Sequence, residues 1–378
     1  MIHAVKANST ARIQAAGGVR TMTFDAATPL QLSSGAMLSP ITIAFETYGA
    51  LNAEKSNAIL VCHDLTGDQF VASPNPVTGR PAWWTRIVGA GKPIDTNRFF
   101  VICANVLGGC MGTTGPATPA PNGAPWGLSF PAISVADIVR AQAMLIEALG
   151  IHQLFLVIGP GFGGMQALQW AGAYPKRVFA CAAVASAAQR SAQNIALNEL
   201  GRQAIMADPD WCGGDYLARG KRPAKGLAVA RLATQIADAA PPALEGKAAQ
   251  LQSGAETIKL AEAEEPTFID RFDANSFLYL SRAMDHFDLA ADFGGDLGNA
   301  FKDSATRACV FAFSSDWRHP PAAARAIVRA LIAAGVDASY VETETENGHR
   351  AFLAEAPAFE AALTGFIDSA AAARGLAL

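Results

Sequence analysis

A chain of 378 residues, 51% of them apolar and 16% charged, can bury a large core, which excludes a disordered protein. Its formal net charge of −4 offers no basic field for gripping nucleic acid or an anionic membrane. No stretch has the uninterrupted apolar length of a membrane span, and the opening MIHAVKANSTARIQAAGG lacks the apolar segment of a signal peptide. The expectation is therefore a cytoplasmic protein with a small-molecule ligand and neither nucleic-acid nor membrane partners. The six cysteines, Cys62, Cys103, Cys110, Cys181, Cys212 and Cys309, show no C-x-x-C and no metal-ligand spacing near a histidine. They read as free thiols, four of them in or beside apolar strand-like runs, with no metal site.

In chain order, ITIAFETYG, NAILVCHDL and RFFVICANV read as strands closed by turn residues. SVADIVRAQAMLIEALG reads as an amphipathic helix, with Ser134 as N-cap and Gly150 as its stop. The strand LFLVI, a helix from Met165 to about Tyr174 and the strand VFACAAVA follow. Strands alternating with helices imply a mostly parallel sheet covered on both faces. From 188 to 289 the pattern turns helical throughout, and then RACVFAFSSD, PAAARAIVRALIAAG, ASYVETE and a last helix to about Ala372 resume the alternation. The expected organisation is an α/β core of residues 1–187 and 290–378, with 188–289 inserted as a helical cap. The ending from Ser369 to Gly375 reads as a fraying helix end.

LFLVIGPGFGGMQALQW admits two readings. Gly159, Gly161 and Gly164 fit G-x-G-x-x-G, but a dinucleotide loop needs an acidic residue at the end of the next strand, and VFACAAVASAA has none. The same strand–turn–helix fits the G-x-S-x-G elbow that carries a nucleophilic serine, and in that register residue 161 is glycine. An α/β-hydrolase fold then requires an acid and a histidine on later loops, in that order. Asp316 follows CVFAFSS, and His349 follows SYVETE. HDLTG, after AILVC, is placed to supply an oxyanion N–H. The fold class expected is the α/β-hydrolase fold with an inserted helical cap.

HDLTGD, WWTRIVGAGKPIDTNRFFVICANVLGGCMGTTGP, GFGGMQALQWAGAYPKRV, RQAIMADPDW, RFDANSFLYLSRAMDHFDL, FSSDWRHPP and NGHRAFL closely resemble the homoserine O-acetyltransferase family, over about Leu38 to Phe366. The resemblance implies transfer of an acyl group from acyl-CoA, as co-substrate, to an amino-acid hydroxyl through an acyl-serine, with no covalently bound cofactor. It implies Asp316 as triad acid, His349 as general base, and an oxyanion hole formed by the N–H groups of Leu65 and Phe162. Arg202 matches an arginine that binds the substrate carboxylate, and a homodimer through the cap is implied.

Three positions depart from the family pattern. Gly161 stands where the nucleophile is expected, Arg350 where an aspartate usually follows the histidine, and Asp64 where HALTG or HTLTG is usual. Without a hydroxyl at 161 the acyl-serine route is closed. Cys62, Cys110 and Thr113 are the other nucleophiles nearby. Asp64 and Arg350, of opposite charge, are expected in the pocket as substrate-binding residues and could pair with each other. Arg350 disfavours an acceptor ammonium and suits a carboxylate or a CoA phosphate. Two further readings stay open: a ligand-binding protein without catalysis, or direct transfer or hydrolysis with the His349–Asp316 dyad as base.

Overall fold

The computed structural model of the chain describes residues 12–16, 19–76, 78–240 and 265–376. Its nine-stranded sheet comprises β1 (Arg12–Ala16), β2 (Val19–Phe24), β3 (Ile41–Tyr48), β4 (Ala58–Val61), β5 (Phe100–Ala104), β6 (Leu154–Pro160), β7 (Val178–Val184), β8 (Arg307–Phe313) and β9 (Ala338–Thr343). The strand order is β1-β2-β3-β5-β4-β6-β7-β8-β9. From β5 to β9 every pairing is parallel, and β1, β2 and β3 complete one edge antiparallel.

The central strands have no polar face because helices cover both sides. All seven residues of β6 are buried. Leu60 and Val157 pack in one apolar layer with α1 (Val135–Ala148), α2 (Phe162–Ala173) and α7 (Pro321–Ala333). Their strand neighbours Ile59, Val61, Leu156 and Ile158 face the opposite layer, with Phe359, Leu363 and Ile367 of α8 (Pro357–Arg374). The alternation is the period-two geometry of a strand. Ser134 caps α1 in a reciprocal box with Asp137, as its sequence signature anticipates.

Between β7 and β8 the chain forms α3 (Ala192–Ala207), α4 (Ala224–Asp238), α5 (Glu265–Arg271) and α6 (Ala274–Asp285). The segment is tied at its base by a bridge between Gln189 and Asp288, reinforced by a 2.7 Å side-chain hydrogen bond. Among the described residues no helix is long and apolar enough to cross a membrane.

The structure differs from expectation in three places. α2 begins at Phe162 rather than Met165. Gly163 and Gly164 read as loop residues, but here their lack of a Cβ lets the helix press against the backbone of Cys62 and the side chain of Ser186. The final helix does not fray: it runs to Arg374 with Ala370 and Ala371 buried, and Gly375 stops it at φ 74°. The strand VRTMTF, second from the antiparallel edge, was not expected; its alternation is weak because Arg20 and two threonines interrupt the apolar residues.

Candidate active site

The turn from β6 into α2 is held rigidly. Gly161 adopts φ 54° and ψ −116°, a conformation that costs a non-glycine residue about 1–3 kcal/mol. Its N–H donates to the Val184 carbonyl at 2.9 Å, and its carbonyl accepts from the Ser186 hydroxyl at 2.7 Å. Below it, Gln166 donates to the carbonyls of His63 and Phe162, and Gln142 bonds both Gln166 and Trp170. A buried polar network of this kind, satisfied at each link, fixes the loop after β4 against the start of α2.

His349 and Asp316 are brought together from the loops after β9 and β8. His349 Nδ1 donates to Asp316 Oδ2 at 2.8 Å, and Asp316 Oδ1 accepts the His319 N–H at 2.9 Å. Gly348 allows the close approach: at φ 61° it touches the backbone at the end of α4, where any side chain would collide with the Asp238 carbonyl and the Ala240 nitrogen. His349 Nε2 is buried and has no hydrogen-bond partner among the described residues. Burial opposes a charge on this imidazole, but the Asp316 carboxylate, their hydrogen bond and Asp238 together hold its pKa above the usual histidine value. The neighbouring His319 ring, 5.1 Å away between centroids, is pushed well down by burial and by the charge of His349.

The pair has a pH signature. A base acts only when neutral, so a rate that depends on His349 rises with pH through a pKa above the ordinary histidine value. Asp316→Asn removes the carboxylate that raises it, and the acid limb of the pH–rate profile should move to lower pH. The same shift should appear when the imidazole is titrated by NMR.

Asp64 faces this imidazole across Gly161. A Cβ built on Gly161 would stand 2.5 Å from Asp64 Oδ1 and 3.0 Å from His349 Nε2. Asp64 Oδ1 accepts the Phe162 N–H at 2.8 Å. One of the two expected oxyanion donors is thus already bound to a carboxylate; Leu65, source of the other, is buried. Among the described residues no ion pair within 4.0 Å joins Asp64 to Arg350, and Asp64 Oδ1 is taken by the Phe162 N–H. Both residues line one cavity of about 340 Å³, together with Arg80, Arg231 and Arg271.

Arg202 is buried in the helical segment and lies outside the lining of that cavity. It donates to Asp285 at 2.7 Å, and to Ser281 and Glu199. Asp285 also lies 3.7 Å from Arg190, whose guanidinium sits 3.3 Å from His319 Nε2. Arg318 forms a buried ion pair with Asp238, and Asp64 and Asp316 help to hold its charge. These inner charges, Arg190, Arg318 and Asp238, escaped sequence reasoning. Arg318 and His319 sit two and three residues beyond Asp316, which was the one available signal.

The other nucleophiles are committed elsewhere. Burial pushes the Cys110 thiol up to about 12 and the Cys62 thiol higher still. The Thr113 hydroxyl donates to the Asn105 carbonyl and accepts the Ala44 N–H. All six cysteines are free, and among the described residues no cluster of His, Cys, Asp or Glu could hold a metal ion.

A parallel sheet that presents a glycine bend after its central strand, with an aspartate and a histidine on the last two strand loops, defines an α/β-hydrolase-fold protein. The family model described as alpha/beta hydrolase fold matches residues 57–327. Homoserine O-acetyltransferases of Mesorhizobium japonicum and Caulobacter vibrioides are each 54% identical, covering 93% and 96% of this chain and 94% and 98% of their own. The solved homoserine O-acetyltransferase of Bacillus anthracis matches at a TM-score of 0.82 and 29% identity, over 93% of this chain and 98% of that one. Esterase E22 matches at a TM-score of 0.82 and 27% identity, over 94% and 100%. The chain belongs to the homoserine O-acetyltransferase family.

Proposed function

We propose that this protein transfers an acyl group from an acyl-CoA to a hydroxyl acceptor, with His349 as the base and without an acyl-serine at residue 161. The observation that carries the reading is the orphan Nε2 of His349, aimed at the glycine bend while Nδ1 is anchored to Asp316. A base oriented in this way can remove a proton from an alcohol, or from water, held over Gly161, an effect typically worth about 10²–10⁴ in rate. The Leu65 backbone N–H serves the developing oxyanion, while the Phe162 N–H is held by Asp64 Oδ1. Arg80, Arg231, Arg271 and Arg350 give the cavity mouth a positive lining that suits the phosphates of an acyl-CoA. Arg350, which lines the same cavity, suits a carboxylate or a phosphate better than an ammonium group. Arg202, engaged with Asp285, acts by positioning Arg190 behind His319.

The test is release of free CoA from acetyl-CoA in the presence of a panel of amino-acid, alcohol and water acceptors. Release above the buffer rate that disappears in His349→Ala supports transfer. No release with any acceptor, but thermal stabilisation by acyl-CoA, would replace it with a ligand-binding role.

We further infer that residues 188–289 act as a cap over the site in a cytoplasmic homodimer joined through that cap. Ile195 and Leu200 on α3, with Val229, Leu232 and Ile236 on α4, are exposed large apolar residues, the kind of surface that a second copy covers. Leu200→Glu together with Leu232→Glu should convert a dimer to a monomer by light scattering after gel filtration, with the melting curve of each protomer retained.

A further inference from the structure

We propose that the carboxylate of Asp64 replaces the missing serine hydroxyl as nucleophile, accepting the acyl group as a mixed anhydride that His349 then delivers to the acceptor; this rests on the acyl-transfer reading above. Three observations meet at one point. Asp64 Oδ1 lies 2.5 Å from where a Cβ on residue 161 would be, so a carboxylate oxygen fills the space a serine side chain would take. The oxygen is fixed there by the Phe162 N–H at 2.8 Å. The orphan Nε2 of His349 faces the same space, 3.0 Å from that Cβ position. Asp64 is half-buried and opens onto the 340 Å³ cavity, so a substrate can reach it.

The chemistry suits this exchange of groups. A serine hydroxyl needs a base before it can attack, whereas an ionised carboxylate is already an anion. The guanidinium groups of Arg318 and Arg190 lie within electrostatic range of Asp64. Ser186, the remaining hydroxyl beside the bend, is occupied as donor to the Gly161 carbonyl.

In the first step a carboxylate oxygen of Asp64 attacks the thioester carbonyl. The O–C bond forms, the C–S bond breaks, and CoA leaves as a thiolate that takes a proton from solvent. In the second step His349 Nε2 removes the proton of the acceptor hydroxyl as its oxygen attacks the acyl carbon. The anhydride C–O bond breaks, the imidazolium returns its proton to solvent, and Asp64 is again a carboxylate with its charge received by the Phe162 N–H. His349 is needed only in the second step, which separates this route from direct attack by the acceptor.

Hydroxylamine, which attacks acyl groups without a base, tests the difference. His349→Ala should lose transfer to hydroxyl acceptors yet still release CoA from acetyl-CoA with hydroxylamine faster than the reagent does alone. That release should be lost in His349→Ala/Asp64→Asn, whose asparagine oxygen can still accept the Phe162 N–H and whose melting curve should match that of His349→Ala. Where hydroxylamine attacks the aspartyl rather than the acetyl carbonyl, the anhydride C–O bond on that side breaks, acetate leaves, and peptide mapping of His349→Ala should find a hydroxamate at residue 64. If the wild-type protein transfers acyl groups but trapping is unchanged by Asp64→Asn and residue 64 carries no label, the aspartyl route is wrong and the transfer reading stands. If neither transfer nor trapping occurs, both are wrong.

Discussion

Gly161→Ser alone should fail to produce an acyl-serine and should melt several degrees below the parent protein. Adding Asp64→Ala should recover the part of that loss that comes from the clash and should give an acylatable serine. The single variant meets two obstacles. Serine must adopt φ 54° and ψ −116°, at a cost of about 1–3 kcal/mol, and its Cβ must enter space held by Asp64 Oδ1 at 2.5 Å. Asp64 would have to swing out and give up the Phe162 N–H. Removing the carboxylate clears that space and frees the Phe162 N–H for an oxyanion. A serine then lies beside His349 Nε2 in the arrangement whose loss typically costs about 10⁶ in turnover. The readouts are the melting temperature of each variant and the acetyl mass on the peptide that contains residue 161 after exposure to acetyl-CoA. An acyl-serine in Gly161→Ser with Asp64 intact would contradict this account of the site.

His349→Ala should abolish acyl transfer to hydroxyl acceptors and should also destabilise the fold, by about 3–5 kcal/mol, because it leaves a buried carboxylate without its principal partner. Asp316 would retain only the His319 N–H. The charge contribution has a definite sign. The folded-state pKa of His349 is raised. Its stabilisation is therefore fully present below the unfolded-state value and lost as pH rises through the folded one. Urea unfolding of the wild type and of His349→Gln, which keeps most of the packing, should show the larger gap at acidic pH, narrowing as the solution is made alkaline.

Much of the framework was legible because it rests on repetition. The buried run LFLVIGP, the capping box at Ser134 and Asp137, and the order of Gly161, Asp316 and His349 each leave a local mark in the chain. What could not be read is what depends on side-chain direction. Asp64 and Arg350 looked like a pair because their charges are opposite, but the partner of Asp64 Oδ1 is the Phe162 N–H, a backbone group that no composition reveals. Arg190 and Arg318 hid for a related reason: a buried arginine and an exposed one look alike in sequence until the partner carboxylates, Asp285 and Asp238, fold over them. The helix at Phe162 escaped because glycines signal a break locally, while here tight packing against Cys62 and Ser186 requires them.

The bridge between Gln189 and Asp288 has an evolutionary consequence. A segment whose two ends meet at one bridge can change length between them without re-registering β7 against β8. The freedom stops at the end of α4, where Asp238 pairs with Arg318 and the backbone receives Gly348, so variation there reaches His349 directly.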